Sequence, residues 1–321
     1  MDSNMQTTLF DRSESQGRLE FTGRDRFDLL HRMSTNDFSK IQPGEGRSTV
    51  LTTALARIID RVIVYSWGER AVMLTNQPAT VRGWLQKHIF YQDQVKLRDV
   101  SAELGQLEVY GPQASQIVGS LTPDAQALTK LALHHFVELS DGQGLVAPTF
   151  PLLEAGYTLV APMTALDGLK QTLIAGGAVL GDAAAYESLR IQAGQPGPGH
   201  ELTEDYIPLE ANLWESVSFS KGCYIGQEII ARMESRNRLA KTLTRLRLPA
   251  LVPPGASLVA DGLKVGTLTS ITTLADGSLV GLGFVRPEKC QAGTQLTVEV
   301  EGQPGATADV IPLLDQVRAN H

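Results

Sequence analysis

The segment from Ser220 to Ser235 contains the side chains whose types and spacing could do chemistry. Cys223 follows Lys221 in a glycine-containing stretch, and apolar residues at 229, 230 and 233 predict that a helix comes next. A thiol just ahead of a helix N-terminus, with a lysine close by, would be favoured in its thiolate form. The pattern therefore predicts a reactive thiol at Cys223. The structural alternative is a small buried hydrophobic residue.

The neighbouring residues could bind a flat, anionic ligand. Gly222 and Gly226 permit unusual backbone angles and a close approach of ligand to backbone. Tyr224 offers a ring and a hydroxyl, and Gln227 offers an amide that can pair with the edge of a heterocycle. Seven basic and two acidic residues lie between 221 and 247, whereas residues 201–215 contain five acidic and no basic ones. This basic stripe suits an anion, or it is a solvated helix face.

Composition limits the class of protein. The formal charge of −7 argues against a nucleic-acid coat, because phosphate binding depends on lysine and arginine. The two cysteines form no C-x-x-C motif and no zinc-like cluster with histidine, so we predict no metal site and a reducing compartment. The start of the chain does not resemble a signal peptide, and no apolar run approaches the roughly 20 residues of a membrane helix. We therefore expect a cytoplasmic protein without a membrane partner.

Hydrophobic periodicity predicts an α+β fold before residue 200. Strands and helices alternate in a strand–helix–strand–strand–helix order typical of split βαβ units, and this order occurs twice. The main strands are predicted at 18–22, 47–54, 58–67, 70–75, 107–110, 145–148 and 157–161, and the main helices at 23–33, 78–88, 164–175 and 182–193.

The character of the chain changes after Pro249. Pro253, Pro254 and Gly255 interrupt the chain, and short strands separated by glycine-containing turns follow, at 257–260, 264–273, 279–285 and 295–300. This pattern predicts a small β-barrel or sandwich. We place the boundary near Lys241–Pro249 and predict two domains, residues 1–240 with two interleaved α+β subdomains and residues 241–321 with the barrel.

Several stretches of the sequence resemble a known family. The run from Lys221 to Glu228, K-G-C-Y-I-G-Q-E, resembles the K-G-C-Y-x-G-Q-E signature of the YgfZ family, a branch of the folate-binding aminomethyltransferase superfamily. Three other stretches resemble that superfamily in the same order, at 21–37, at 190–196 (R-I-Q-A-G-Q-P) and at 207–210 (I-P-L-E). The resemblance implies a ring of ferredoxin-like α/β units plus a small C-terminal β-barrel, and a tetrahydrofolate site. It also implies a role in iron–sulfur metabolism that depends on Cys223.

The chain departs from true aminomethyltransferases at three places. Those enzymes resemble K-x-x-F-x-G at the signature and have no cysteine there. They usually carry a pterin-anchoring Glu where this chain has Gln192, and paired Asp residues where this chain has only Asp60. Asp60 could manage protons on a folate. The alternative that we favour is a surface ion pair between Asp60 and a nearby arginine.

The leading hypothesis is a tetrahydrofolate-binding accessory protein of iron–sulfur cluster assembly or repair, which supports tRNA modification indirectly and acts on iron–sulfur client proteins. Cys223 would be its redox or cluster-contacting thiol. Under this hypothesis we place these residues at the folate: Asn36, Asp37, Lys221, Gly222, Tyr224, Gly226, Gln227 and Arg232.

Two alternatives differ in class. The first is a folate-dependent aminomethyltransferase with Asp60 as acid or base. The second is a binding module for tRNA, which the basic stripe permits. Aromatic residues are not interleaved with that stripe, and the overall charge opposes direct binding of nucleic acid.

Overall fold

The computed structural model describes residues 6–236, 239–300 and 305–312. By its internal contacts the chain divides into two compact units. The first contains residues up to 53, 59–183 and 216–225, and the second contains residues 54–58, 184–215 and those from 226 onward. Each unit therefore draws on separated stretches of the sequence, and each is described by itself.

The first unit combines two sheets with short helices. Its strands are β1 (Thr8–Asp11), β2 (Gly17–Thr22), β3 (Gly46–Thr52), β4 (Ile58–Trp67), β5 (Arg70–Thr75), β6 (Lys96–Asp99), β7 (Leu104–Tyr110), β8 (Val137–Glu138), β9 (Leu145–Leu152), β10 (Glu154–Pro162) and β11 (Val179–Leu180). Its helices are α1 (Arg26–Met33), α2 (Pro78–Gln86), α3 (Ala114–Gly119), α4 (Ala125–Thr129) and α5 (Leu166–Ala175).

The strands form two sheets, and β1 joins the later strands β7–β11 in one of them. One sheet runs β3-β4-β5-β2-β6, and the other runs β11-β1-β7-β10-β9-β8. A shared core joins them, with Tyr65 and Val72 from the first and Leu145 and Val160 from the second. The remaining faces are covered by helices, because apolar residues recur on one side of each helix. In α1, for example, the buried residues are Leu29, Leu30 and Met33.

The second unit contains a closed six-stranded β-barrel. Helices α6 (Ala183–Ala193) and α7 (Gln227–Arg236) precede its strands, which are β12 (Thr242–Leu248), β13 (Ser257–Ala260), β14 (Leu263–Thr273), β15 (Leu279–Val285), β16 (Gln295–Glu299) and β17 (Ala306–Ile311). They close in the order β12-β15-β14-β13-β16-β17. Alternate residues fill the interior, as β16 shows with Leu296 and Val298 buried between exposed neighbours.

The predicted fold class is confirmed, since mixed α/β sheets occupy the first unit and a closed β-barrel follows. The long strands β4 and β5 have the predicted bounds, and α7 lies where the sequence predicts a helix. The domain limits at 240 and 241 stay a prediction. Arg238, which contributes to the basic stripe, lies outside the described residues. No helix in the described ranges is long and apolar enough to cross a membrane.

Candidate functional site

The residues around Cys223 dock on the C-terminal end of α1. We call residues 221–225 the cysteine loop. Helix ends leave backbone carbonyls without intrahelical partners, and here three consecutive ones are satisfied from outside the helix ladder. The Oγ of Ser34 donates to the carbonyl of Leu30 at 2.7 Å, Lys221 donates to that of His31, and the backbone N–H of Ile225 donates to that of Arg32 at 3.4 Å. Both ends of the cysteine loop are thus held by the helix.

Lys221 is the main anchor of this loop. Its side chain is buried, and its ammonium donates to the carbonyls of His31, Ser34 (2.8 Å) and Asn36 (2.7 Å). Its Nζ also lies 4.8 Å from the centre of the Tyr224 ring, within cation–π range. Burial lowers the pKa of Lys221 to about 8. All three N–H donors are used inside the protein, so the structure gives Lys221 a positioning role, and ligand contact stays a prediction.

Cys223 lies exposed between two buried residues. Lys221 is 7% exposed and Tyr224 is 9% exposed, so the loop turns the thiol outward while its neighbours point inward. The alternative of a buried small hydrophobic residue is therefore wrong for Cys223. The second cysteine, Cys290, is half-buried and belongs to the barrel unit, where burial raises the pKa of its thiol.

The two glycines of the signature differ. Gly226 has φ of +83°, in the left-handed region that glycine adopts at low cost, and α7 begins at the next residue. The expectation of unusual backbone angles at Gly222 is wrong, because its φ lies outside that region. A Cβ added at position 222 would meet only Nε2 of His31, at 3.9 Å. Gly222 thus leaves open space beside the thiol, with an imidazole at its edge.

The loop after α1 presents Asn36 and Asp37 on the same side as the cysteine loop, because the carbonyl of Asn36 accepts from Lys221. The Asn36 amide donates to the carbonyl of Ser48 at 2.8 Å, which fixes its orientation. The carboxylate of Asp37 accepts from the N–H and the hydroxyl of Ser39, and these two bonds lower its pKa. Both predicted folate residues are therefore held rigidly beside the cysteine loop.

His31 completes this cluster, although the sequence analysis did not single it out. Its Nδ1 lies 3.0 Å from Oδ1 of Asp37. Burial and the charge of Lys221 lower the pKa of His31, while Asp37 opposes that shift. The sequence signal that could have found it is its place in the last turn of the predicted helix, directly before the Asn36-Asp37 turn.

Asp60 forms a second polar centre in the first unit. It is fully buried in β4, and its oxygens accept from the Thr75 hydroxyl (2.6 Å), the Asn76 N–H (2.8 Å) and the Asn76 side-chain amide (2.8 Å). Burial raises the pKa of this carboxyl, and the three hydrogen bonds oppose the rise. The predicted surface ion pair with an arginine is therefore wrong. The β4–β5 hairpin register, in which Ile63 pairs with Leu74, brings residue 75 to this point and could have indicated it.

The remaining predicted residues lie in the second unit, on α6 and α7. Gln227 opens α7 and is half-buried. Arg232 is exposed and pairs with Glu228 one turn earlier, at 2.8 Å. Gln192, which stands in place of the pterin-anchoring Glu, donates to the hydroxyl of Ser188 at 3.1 Å. The structure thus brings Asn36, Asp37, Lys221 and Tyr224 together in the first unit. Among the residues described in both units, no three His, Cys, Asp or Glu side chains could hold a metal ion.

Comparison with known protein sequences gives three findings. The family model described as the GCVT N-terminal domain matches residues 4–221. A chloroplastic protein of Arabidopsis thaliana, named provisionally as a transferase, is 34% identical over 288 residues, which cover 88% of this chain and 66% of that protein. An aminomethyltransferase of Geobacillus kaustophilus is 29% identical over 318 residues, covering 95% of this chain and 86% of that enzyme.

Among solved structures, the glycine cleavage system aminomethyltransferase T of Bartonella henselae superimposes with a TM-score of 0.83. The match covers 98% of this chain and 88% of that one, at 20% sequence identity. At 20% sequence identity, this similarity shows the fold alone.

Proposed function

Because this chain belongs to the GCVT N-terminal domain family, we propose that it binds a tetrahydrofolate or a related folate and uses the Cys223 thiol in iron–sulfur cluster assembly or repair. Its clients would be iron–sulfur proteins, including enzymes that modify tRNA, in a reducing compartment such as the cytoplasm. The observation that carries this proposal is the exposed thiol of Cys223, held between two buried residues of the cysteine loop.

The geometry of the loop supports a working thiol. A loop that only turned the chain would not need a buried ammonium with three carbonyl partners on one side of an exposed cysteine. Buried lysines are rare because desolvation of the ammonium costs free energy. The three hydrogen bonds of Lys221 must offset that cost. Such a rigid support keeps a reactive group in one place. The K-G-C-Y-x-G-Q-E run supports assignment to the YgfZ branch.

Each unit by itself offers groups that suit part of a folate. In the second unit, the Gln227 amide can pair with the edge of a pterin, and the exposed guanidinium of Arg232 suits the carboxylates of a glutamate tail. In the first unit, Asn36 and Asp37 offer polar groups held in fixed orientations. Lys221 is already satisfied and would act by holding the carbonyl of Asn36 in place. A bound tetrahydrofolate would supply a carrier for one-carbon units.

The test distinguishes loss of the thiol from loss of the folded structure. We expect that Cys223→Ala abolishes the ability of this protein to support iron–sulfur enzymes in cells, because no other thiol lies in that loop, while its thermal unfolding is unchanged. Cys290→Ala is the matched control and should retain function. Calorimetric titration with tetrahydrofolate measures the folate part. Full cellular activity of Cys223→Ala would refute the role of the thiol, and absence of binding heat would refute the folate site.

A second candidate is a folate-dependent aminomethyltransferase. It is favoured by relatives that bear that name, such as the Geobacillus kaustophilus enzyme, and by the buried Asp60 with its raised pKa. Against it, three internal donors already occupy the carboxylate of Asp60. Aminomethyl transfer to tetrahydrofolate by purified protein, lost in Asp60→Asn and kept in Cys223→Ala, would favour this candidate.

A further inference from the structure

His31 and Asp37 stand beside the cysteine loop as an imidazole–carboxylate pair. The Nδ1 of His31 lies 3.0 Å from Oδ1 of Asp37. An unprotonated Nδ1 would set its lone pair against that of the carboxylate, so the proton lies between the two atoms. The N–H of Phe38 donates to the same Nδ1 at 3.3 Å when that atom is unprotonated, and it competes with the shorter, charge-assisted contact to Asp37. The other nitrogen, Nε2, is then the basic one.

Nε2 of His31 faces the residue before the thiol. It would lie 3.9 Å from a Cβ placed on Gly222, and no closer atom surrounds that position. Cys223 is the next residue, its Cα lies about 3.8 Å from that of Gly222, and its side chain is exposed. The glycine matters here, because a side chain at position 222 would come into contact with the imidazole of His31.

We infer that Cys223, His31 and Asp37 form a thiol–imidazole–carboxylate unit in which His31 takes the thiol proton and Asp37 holds the imidazole in the required tautomer. This inference rests on the proposed function of Cys223 and adds the base that activates it. The proton moves from Sγ to Nε2, and the neutral pair becomes a thiolate–imidazolium pair with no change in total charge.

The charges around His31 agree with this role. Lys221 and burial keep the imidazole neutral and therefore able to accept a proton, whereas Asp37 and Asp28 stabilise the imidazolium once it forms. Among the described residues, Lys221, Asp37 and Asp28 are the charged groups with a resolved effect on the pKa of His31, and they come from the cysteine loop, from the loop after α1 and from α1 itself. Lys221, with its ammonium fixed on three carbonyls, also sets the distance between the two loops.

A disulfide suits this unit as substrate, because exchange with an activated thiolate needs no further oxidant. The thiolate of Cys223 attacks one sulfur, a new S–S bond forms as the old one breaks, and the leaving thiolate takes the proton from His31. The product is a mixed disulfide on Cys223 and one released thiol. No oxidant beyond the disulfide itself is consumed.

The experiment follows the reaction of the full chain with the neutral aromatic disulfide dithiodipyridine, in a Cys290→Ala background so that only Cys223 reports. At about pH 7 we expect His31→Gln to slow the release of thiopyridone about tenfold, and Asp37→Asn to slow it about threefold. At about pH 10, where a free thiol ionises without help, all variants should react alike. His200→Gln, an exposed histidine of the second unit, is the matched control and should react like the parent.

The pH profile separates catalysis from misfolding. A loss that is equal at both pH values is a structural effect and overturns the inference, as do parental rates in His31→Gln and Asp37→Asn at about pH 7. Circular dichroism checks folding, and Asp37→Asn carries the test should His31→Gln unfold. The two failures are distinguishable. Parental disulfide rates in His31→Gln and Asp37→Asn, together with lost cellular activity in Cys223→Ala, overturn only the inference. Slowed rates in those two variants, together with full cellular activity in Cys223→Ala, overturn only the proposed function.

Discussion

At the scale of single residues, the ammonium of Lys221 contributes more to the site than a charge. It is the donor for three backbone carbonyls at the end of α1 and in the following turn. Replacing it with methionine keeps the length of the side chain but leaves these buried acceptors without a partner. Asn36 and Cys223 would then lose their common support. The position of the cysteine loop therefore depends on one nitrogen atom.

We expect Lys221→Met to lower the free energy of unfolding by about 2–4 kcal/mol, the cost of several unsatisfied buried carbonyls. Urea unfolding followed by circular dichroism measures this change. Lys40→Met, at an exposed lysine of the same unit, should change stability by less than about 0.5 kcal/mol. Equal stabilities of the two variants would show that the carbonyls at the end of α1 do not need the ammonium.

His31 gives the site a dependence on pH. Because its folded-state pKa is lowered below the ordinary 6.5, the unfolded chain binds a proton more readily than the folded one. The contribution of His31 to stability is therefore complete above about pH 6.5 and decreases as the pH falls toward the folded-state value. Titration of its ring protons by NMR should give a midpoint below 6.5. In Asp37→Asn the midpoint should fall further, since Asp37 favours the imidazolium, and a rise would contradict this account.

At the scale of elements, α6 is tied to the barrel by a buried ion pair. Arg190 of α6 donates to Glu201 at 3.0 Å, and the other oxygen of Glu201 accepts from the hydroxyls of Thr269 (2.5 Å) and Ser270 (2.7 Å) of β14. Glu201 is fully buried and Arg190 is 3% exposed. Desolvation makes such a pair a poor source of net stability, but removal of Glu201 leaves the buried Arg190 with only the half-exposed Glu187, and the hydroxyls of Thr269 and Ser270 without their carboxylate.

Glu201→Ala should therefore lower the free energy of unfolding by about 3–5 kcal/mol. Glu187 offers a matched control, since it also pairs with Arg190 but is 43% exposed. Glu187→Ala should cost less than about 1 kcal/mol, because solvent screens that pair. Urea unfolding of both variants gives the comparison, and a smaller loss in Glu201→Ala than in Glu187→Ala would mean that the buried carboxylate is dispensable.

Sequence patterns predicted the long elements well and the short ones poorly. β4 and β5 are recognisable because they are runs of β-branched and apolar residues on either side of a turn. Two-residue strands such as Val137–Glu138 and Val179–Leu180 carry no such pattern, and only their pairing partners define them. The same reason explains the site. Cys223 and Lys221 could be identified because they are close together in the sequence. The contacts of Asp60 instead depend on a hairpin register that brings Thr75 beside it.

At the scale of the whole molecule, the order of the chain and the order of its packing differ. Residues 184–215 precede the cysteine loop in sequence but belong by contacts to the unit that contains the barrel. Three sets of contacts explain this. Glu201 bonds to β14, the Tyr206 ring stacks on Phe284 with centroids 3.4 Å apart, and the Asn212 amide donates to the carbonyl of Leu243 at 2.9 Å. The barrel strands therefore complete part of their core with residues far upstream.

This packing predicts how fragments behave. A fragment of residues 241–321 would expose Phe284 and leave the hydroxyls of Thr269 and Ser270 without their carboxylate, so we expect it to unfold at a low urea concentration. A fragment of residues 184–321 retains these contacts and should unfold cooperatively in urea, at a higher midpoint. A Glu201→Ala version of the longer fragment controls for length alone, and its midpoint should fall toward that of the shorter one. Equal midpoints for the two parent fragments would show instead that the barrel is stable by its own strands, and that the boundary at 240 and 241 separates two independent folding units.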